Sequence, residues 1–146
     1  ESFAWIDRAI PSGSSNIIAY ALPYNSFNSP DTFIEDIVAA RDSVVKIHIP
    51  GPDVPGKTTY MKTETVFMPY VTPAEIAGYK GVEIRGIWDI QNYPMAGPFV
   101  AYILNDPDQD RKIVLEGFVF APNKEKRTPL FELEAIIKTL HPILKE

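Results

Sequence analysis

The sequence contains no cysteine. Thiol nucleophiles, cysteine metal sites and disulfides are thereby excluded, while the redox compartment stays open. Histidine is almost as scarce. His48 and His141 stand far apart, and no spacing gathers carboxylates around either, so a metal site or a Ser-His-Asp arrangement has no footing. No apolar run approaches the ~20 residues of a membrane helix. No basic run stands out among 14 Lys+Arg against 19 Asp+Glu, a net charge of −5, and no nucleic-acid partner is expected. Repeats and low-complexity tracts are missing too. The chain opens at Glu1 without a basic segment or an apolar leader core, as a processed or trimmed product would.

What is present is an ordinary globular composition. The 146 residues, 45% hydrophobic and 12% aromatic, suit a single domain spanning 1–146 with a core of its own. FAWIDRAI (3–10) alternates as a strand, PSGSSN is a cluster of turn formers, and NIIAYALPY (16–24) is a second strand, together an N-terminal hairpin. A helix is expected over 30–46, with Ser29 as its cap and Pro30 at its first position. Phe33, Ile37, Ala40 and Val44 form its apolar stripe, while Glu35, Asp36, Arg41 and Asp42 face away. IPGPDVPGK (49–57) is a proline-stiffened loop.

Four strands follow by pattern: TTYMKTETVFM, YKGVEIRGIWDI, PFVAYIL and KIVLEGFVF. A second helix over 129–143 carries Leu130, Leu133, Ile137 and Leu140. The order β-β-α-β-β-β-β-α predicts an α+β fold with an antiparallel sheet of about five to six strands. NIIAYAL, PFVAYIL and KIVLEGFVF are apolar on both alternating sets, so the sheet needs cover on both faces. Either each helix covers one face, or both share a face and the other needs an absent domain or a partner.

The candidate chemistry is thin. Ser12, Ser14 and Ser15 lack the GxSxG context and read as turn residues. Asp106, Asp108 and Asp110 open like a calcium loop, but Arg111 and Gly117 stand where its glycine and bidentate glutamate belong, leaving a solvated hairpin tip. Glu116 interrupts an apolar strand and needs a cation. Arg85 is the expected partner, with Glu134 competing for it; a clamp by Arg85 on a ligand carboxylate or phosphate is the alternative. Trp88 alternates with Ile84 and Ile90 and reads as core. Tyr93 and Met95 fall in QNYPMAG, expected to be a stiff connection of about six residues, where they either tuck under the fold or bind a partner. The speculative binding set is therefore Arg85, Tyr93, Met95 and Glu116, and the structural ion-pair set Arg85, Glu116 and Glu134. No catalytic residue, metal ligand or cofactor is assigned.

RGIWDIQNYPMAGPFVAY, EGFVFAP and KRTPLFELEAIIKTL closely resemble the C-terminal half of a lipoprotein family of Bacteroidetes-type bacteria, domain-of-unknown-function family 4837. SGSSNIIAYALPY and RDSVVKIHIPGPDVPGKTTYMKTE fit the same pattern, so the likeness covers nearly the whole chain. Ala96 stands where the family usually has glycine, and Phe131 where it often has arginine. The resemblance implies an exported lipoprotein, periplasmic or outer-membrane-anchored, whose anchoring cysteine and N-terminal half precede this segment. Membrane contact would be through that anchor alone, and the partner would be the N-terminal half or an envelope protein. It brings no catalytic residue. The element order is also similar to a PsbP/Mog1-type arrangement, an analogy that carries no function. The functional expectation is a non-catalytic interaction or ligand-binding module of the cell envelope. Its alternative is a small-molecule-binding or hydrolytic domain with Arg85, Glu116 and His48 around a pocket between sheet and helix.

Overall fold

The computed structural model describes residues 3–10, 13–121 and 127–139. The alternating N-terminal segment forms β1 (Phe3–Ile10) and β2 (Gly13–Pro23), and a 3-10 turn (Pro30–Thr32) leads into α1 (Phe33–His48). Then come β3 (Met61–Thr63), β4 (Tyr70–Ile76), β5 (Tyr79–Ile90), β6 (Tyr93–Asp106) and β7 (Arg111–Phe120), and last α2 (Arg127–Thr139). Every pairing is antiparallel, in the order β1-β2-β7-β6-β5-β3, with β4 also on β5. The α+β class and the expected element order are found, with β4 as an additional strand.

The two doubly apolar strands β6 and β7 lie at the centre, where both faces must be dry. One face buries Ile18, Ile84, Trp88, Phe99 and Phe118 beneath Ile37 and Val45 of α1. The other buries Val100, Tyr102, Leu104 and Leu115 beneath Ile137 of α2. Each helix thus covers its own face, which decides between the two arrangements left open by the sequence.

Several local expectations are corrected. Ser29 is extended ahead of the 3-10 turn, and its side chain makes no capping bond. Ser14 and Ser15 are not turn residues but the start of β2, paired with Phe120 and Val119. TTYMKTETVFM forms a strand only at Met61–Thr63, and its tail leaves the sheet before β4 begins. QNYPMAG is no six-residue loop. Gln91 and Asn92 alone make the turn, Asn92 with φ 65, and Tyr93 already pairs with Ile90. Next, Asp89 pairs with Ala96, so Pro94 and Met95 form a bulge, a place where strand proline is tolerated. Pro98 falls just outside the β6–β7 ladder, which opens at Phe99. Leu140 and His141 lie outside the described residues.

Candidate functional site

Neighbouring residues of β7 hold the two helices. Glu116, fully buried, faces α1, where Arg41 meets it with a two-pronged bond: Nε donates to Oε1 at 2.8 Å and Nη2 to Oε2 at 2.7 Å. Arg41 Nη1 also donates to Thr63 Oγ1 at 2.9 Å, and the guanidinium lies 4.1 Å over the Phe99 ring. Thr63 in turn donates its hydroxyl and its backbone N–H to Asp42. Burial pushes the Asp42 carboxyl up, against the lowering effect of the Thr63 bonds. Burial, and then the Glu116 charge, also raises the Tyr20 phenol on this face. Buried and bonded in this way, the cluster is a pin between α1, β3 and β7. Gly117, one residue on, faces the opposite side. A Cβ there would stand 2.9 Å from Leu133 Cβ, so the missing side chain is the seat of α2.

The partner expected for Glu116 was Arg85, and the partner found is Arg41. Arg85 pairs with Val100 across the β5–β6 ladder, and Val100 with Gly117, so Arg85 shares the face of Gly117 and not that of Glu116. It instead bonds Glu134 of α2 through Nη2 at 2.7 Å and Glu83 through Nε at 2.6 Å, half-shielded from water. Arg41, read as facing away, is buried. The signal was there: Ile37, Arg41 and Val45 fall at i, i+4 and i+8, along the buried stripe.

Burial alone would raise the Glu134 carboxyl, but the bonds from Arg85 and Lys138 outweigh it and hold the group below the ordinary carboxylate range. A depressed carboxyl stabilises the fold fully above its unfolded pKa, about 4.3, and that contribution is lost as pH falls through the lower folded value. Glu134→Gln should therefore flatten the acid limb. Between about pH 5 and pH 3 the melting temperature of the variant falls less than that of the parent. At neutral pH the two differ by about 1 kcal/mol or less. Asp42, raised, works in the opposite direction, but it is present in both proteins and drops out of the difference. Parallel acid limbs would mean that the ion pair contributes nothing.

Much of the corner at 85–99 packs into the fold. Trp88 is buried, and its Nε1 donates to the Val119 carbonyl at 3.2 Å where the β6–β7 ladder has ended. That approach needs Gly97, since a Cβ there would lie 2.2 Å from Val119 O and 2.9 Å from Trp88 Nε1. Gly97 is needed for space and not for a positive φ. Met95 packs, partly buried, against the α1-side core, whereas Tyr93 stays exposed. His48 closes α1 and stacks on Phe3, ring centroids 4.0 Å apart. Asp106 accepts a bond from Arg111 Nε at 3.0 Å beside the β6–β7 turn. Arg85, Glu116 and His48 therefore occupy three separate places.

A surface the sequence did not single out lies between β3 and β4. Val66, Phe67, Met68 and Tyr70 are 78, 71, 43 and 80% exposed. The segment is tied down at both ends: Glu64 N donates to Ile87 O, Val66 N to the Glu64 carboxylate, and buried Pro69 sits over Gly86. Met68 reaches the start of α1, where it lines a concavity with Ile34, Asp31 and Glu35. The result is a held apolar ridge with an acidic margin. Phe67 and Met68 sit in what read as strand TTYMKTETVFM, and only the early end of that strand, at Thr63, would have revealed them.

Fold and surface together define an α+β domain with a two-faced core and a displayed apolar ridge. The domain family described as Domain of unknown function (DUF4837) matches residues 1–139, and the chain belongs to that family. No curated protein and no solved structure matches it.

Proposed function

We propose that the chain is a non-catalytic interaction module of an exported, lipid-anchored envelope protein, of which it forms the C-terminal half. The observation that carries the interaction reading is the Val66–Tyr70 ridge. Four large apolar side chains within five residues, bonded at Glu64 and packed down at Pro69, form the kind of patch that marks a docking site. Its margin of Asp31, Glu35 and Glu64 matches a partner with an apolar centre and a basic rim. The same acidity disfavours an anionic lipid surface. Among the described residues no helix is long and apolar enough to cross a membrane. The compartment rests on the likeness to exported lipoproteins.

The test places a photo-crosslinking residue at position 67 of the full-length protein in cells, with position 80 as the exposed control. A single crosslinked protein species from 67, lost in Val66→Ser with Met68→Ser, is the expected result. The double variant should melt within about 4 °C of the parent, because Val66 is mostly in water and Met68 is only partly covered by α1. Crosslinks to lipid alone, or equal products from both positions, would overturn the reading.

A further inference from the structure

Lys112, the second residue of β7, pairs with Leu22 and Asn105 and shares the face of Val114 and Glu116, so it looks toward α1. It is half-buried there. Its Nζ donates to Asn105 Oδ1 at 2.6 Å and lies 5.1 Å from the centre of the Tyr24 ring. No carboxylate of the described residues forms an ion pair with it, unlike Arg41, Arg85 and Arg111. Burial lowers its pKa, the mark of a cation short of solvent and counter-charge.

Above Lys112 lies a cavity of about 140 Å3, walled by Phe27, Phe33, Val82 and Ile103. Phe27 and Phe33 meet edge to face, ring centroids 6.2 Å apart. The backbone of Phe27 has φ 66, a left-handed conformation that an aromatic residue rarely adopts. Among the described residues, the other left-handed ones that are not glycine, Ala77, Asn92 and Asp110, serve the turns between successive strands. Phe27 instead follows the Pro23–Ser26 turn on the way from β2 to α1, and strain of this kind gathers where a side chain is held in place for a ligand.

We propose that this cavity binds a small monocarboxylate, its carboxylate on Lys112 and Asn105 and its short apolar body between Phe27 and Phe33. Lys112 keeps ammonium protons beyond the one given to Asn105, and the Asn105 amide can add a further donor. A space of this size takes about six to nine non-hydrogen atoms, a benzene-sized body with its charged group at the rim. The inference does not rest on the docking ridge, since it uses other side chains and a different probe.

Benzoate is the probe, with benzyl alcohol as its neutral counterpart. Each is titrated into the isotope-labelled chain while the backbone amide resonances of Gly81, Asn105 and Lys112 are followed. Saturable shifts confined to the cavity are expected with benzoate, with binding about tenfold weaker for benzyl alcohol. Lys112→Met should lose a similar factor for benzoate and leave benzyl alcohol unchanged. Phe27→Gly, which removes one wall of the cavity, should weaken both ligands. Equal affinity for the charged and neutral probes, or shifts centred elsewhere, would overturn the proposal. That comparison uses the parent protein and decides even where a variant fails to fold.

Discussion

Glu116→Ala is expected to cost about 3–5 kcal/mol, a fall in melting temperature of roughly 10–20 °C, because it leaves the Arg41 guanidinium buried without its counter-charge. Arg41→Ala should cost a similar amount by stranding the carboxylate, which has no exposure at all. Replacing both, as Arg41→Met with Glu116→Leu, should recover most of the loss, since a packed apolar pair needs no desolvation of charge. The three melting curves separate the cost of an orphaned charge from the net worth of the pair. A Glu116→Ala protein that melts with the parent would show that α1 is held by its apolar stripe alone.

Gly97→Ala should be nearly as damaging, although it adds one methyl group. The new Cβ would press against the Val119 carbonyl and the Trp88 indole, both in backbone-tight surroundings. Overpacking of this kind costs about 1–3 kcal/mol. Breaking the Trp88–Val119 hydrogen bond inside the core adds about 1–3 kcal/mol. Trp88→Phe removes the same bond and frees space beside position 97. In that background Gly97→Ala should therefore cost clearly less, and a chemical-denaturation cycle over the four proteins measures the difference. Additive losses would mean that glycine and indole act separately.

Most of the fold could be read from period and composition. β5, β6 and β7 announced themselves by alternation or by unbroken apolar runs, and α2 by its stripe. β4 did not, because YVTPAEI lies at the sheet edge with one buried residue and a proline, so it shows no period. The site residues fared worse for a geometric reason. A strand places successive residues on opposite faces, so assigning Glu116 to Arg85 or to Arg41 depends on a register that no single segment contains. The charge at 41 was counted as solvent-facing by type, whereas its spacing from Ile37 and Val45 pointed inward. Docking ridge and cavity alike depend on where the chain leaves the sheet, which sequence pattern records least well. Tyr93 and Met95 were open between corner and interface; Met95 joins the corner, and Tyr93 remains on the surface.

The strand order has a consequence for how the chain comes into being. Synthesis delivers the N-terminal end first, yet β2 has its inner partner in β7, so that Ile18 waits for Glu116. Until the last strand arrives, the early hairpin has an unzipped apolar rim and α1 has no anion to clasp. Such late, distant closure is slow and leaves nascent chains open to misassociation. A holding chaperone would find its natural grip on the stretch from Ile17 to Leu22. Release would come only once Arg111 to Phe120 had emerged to take its place.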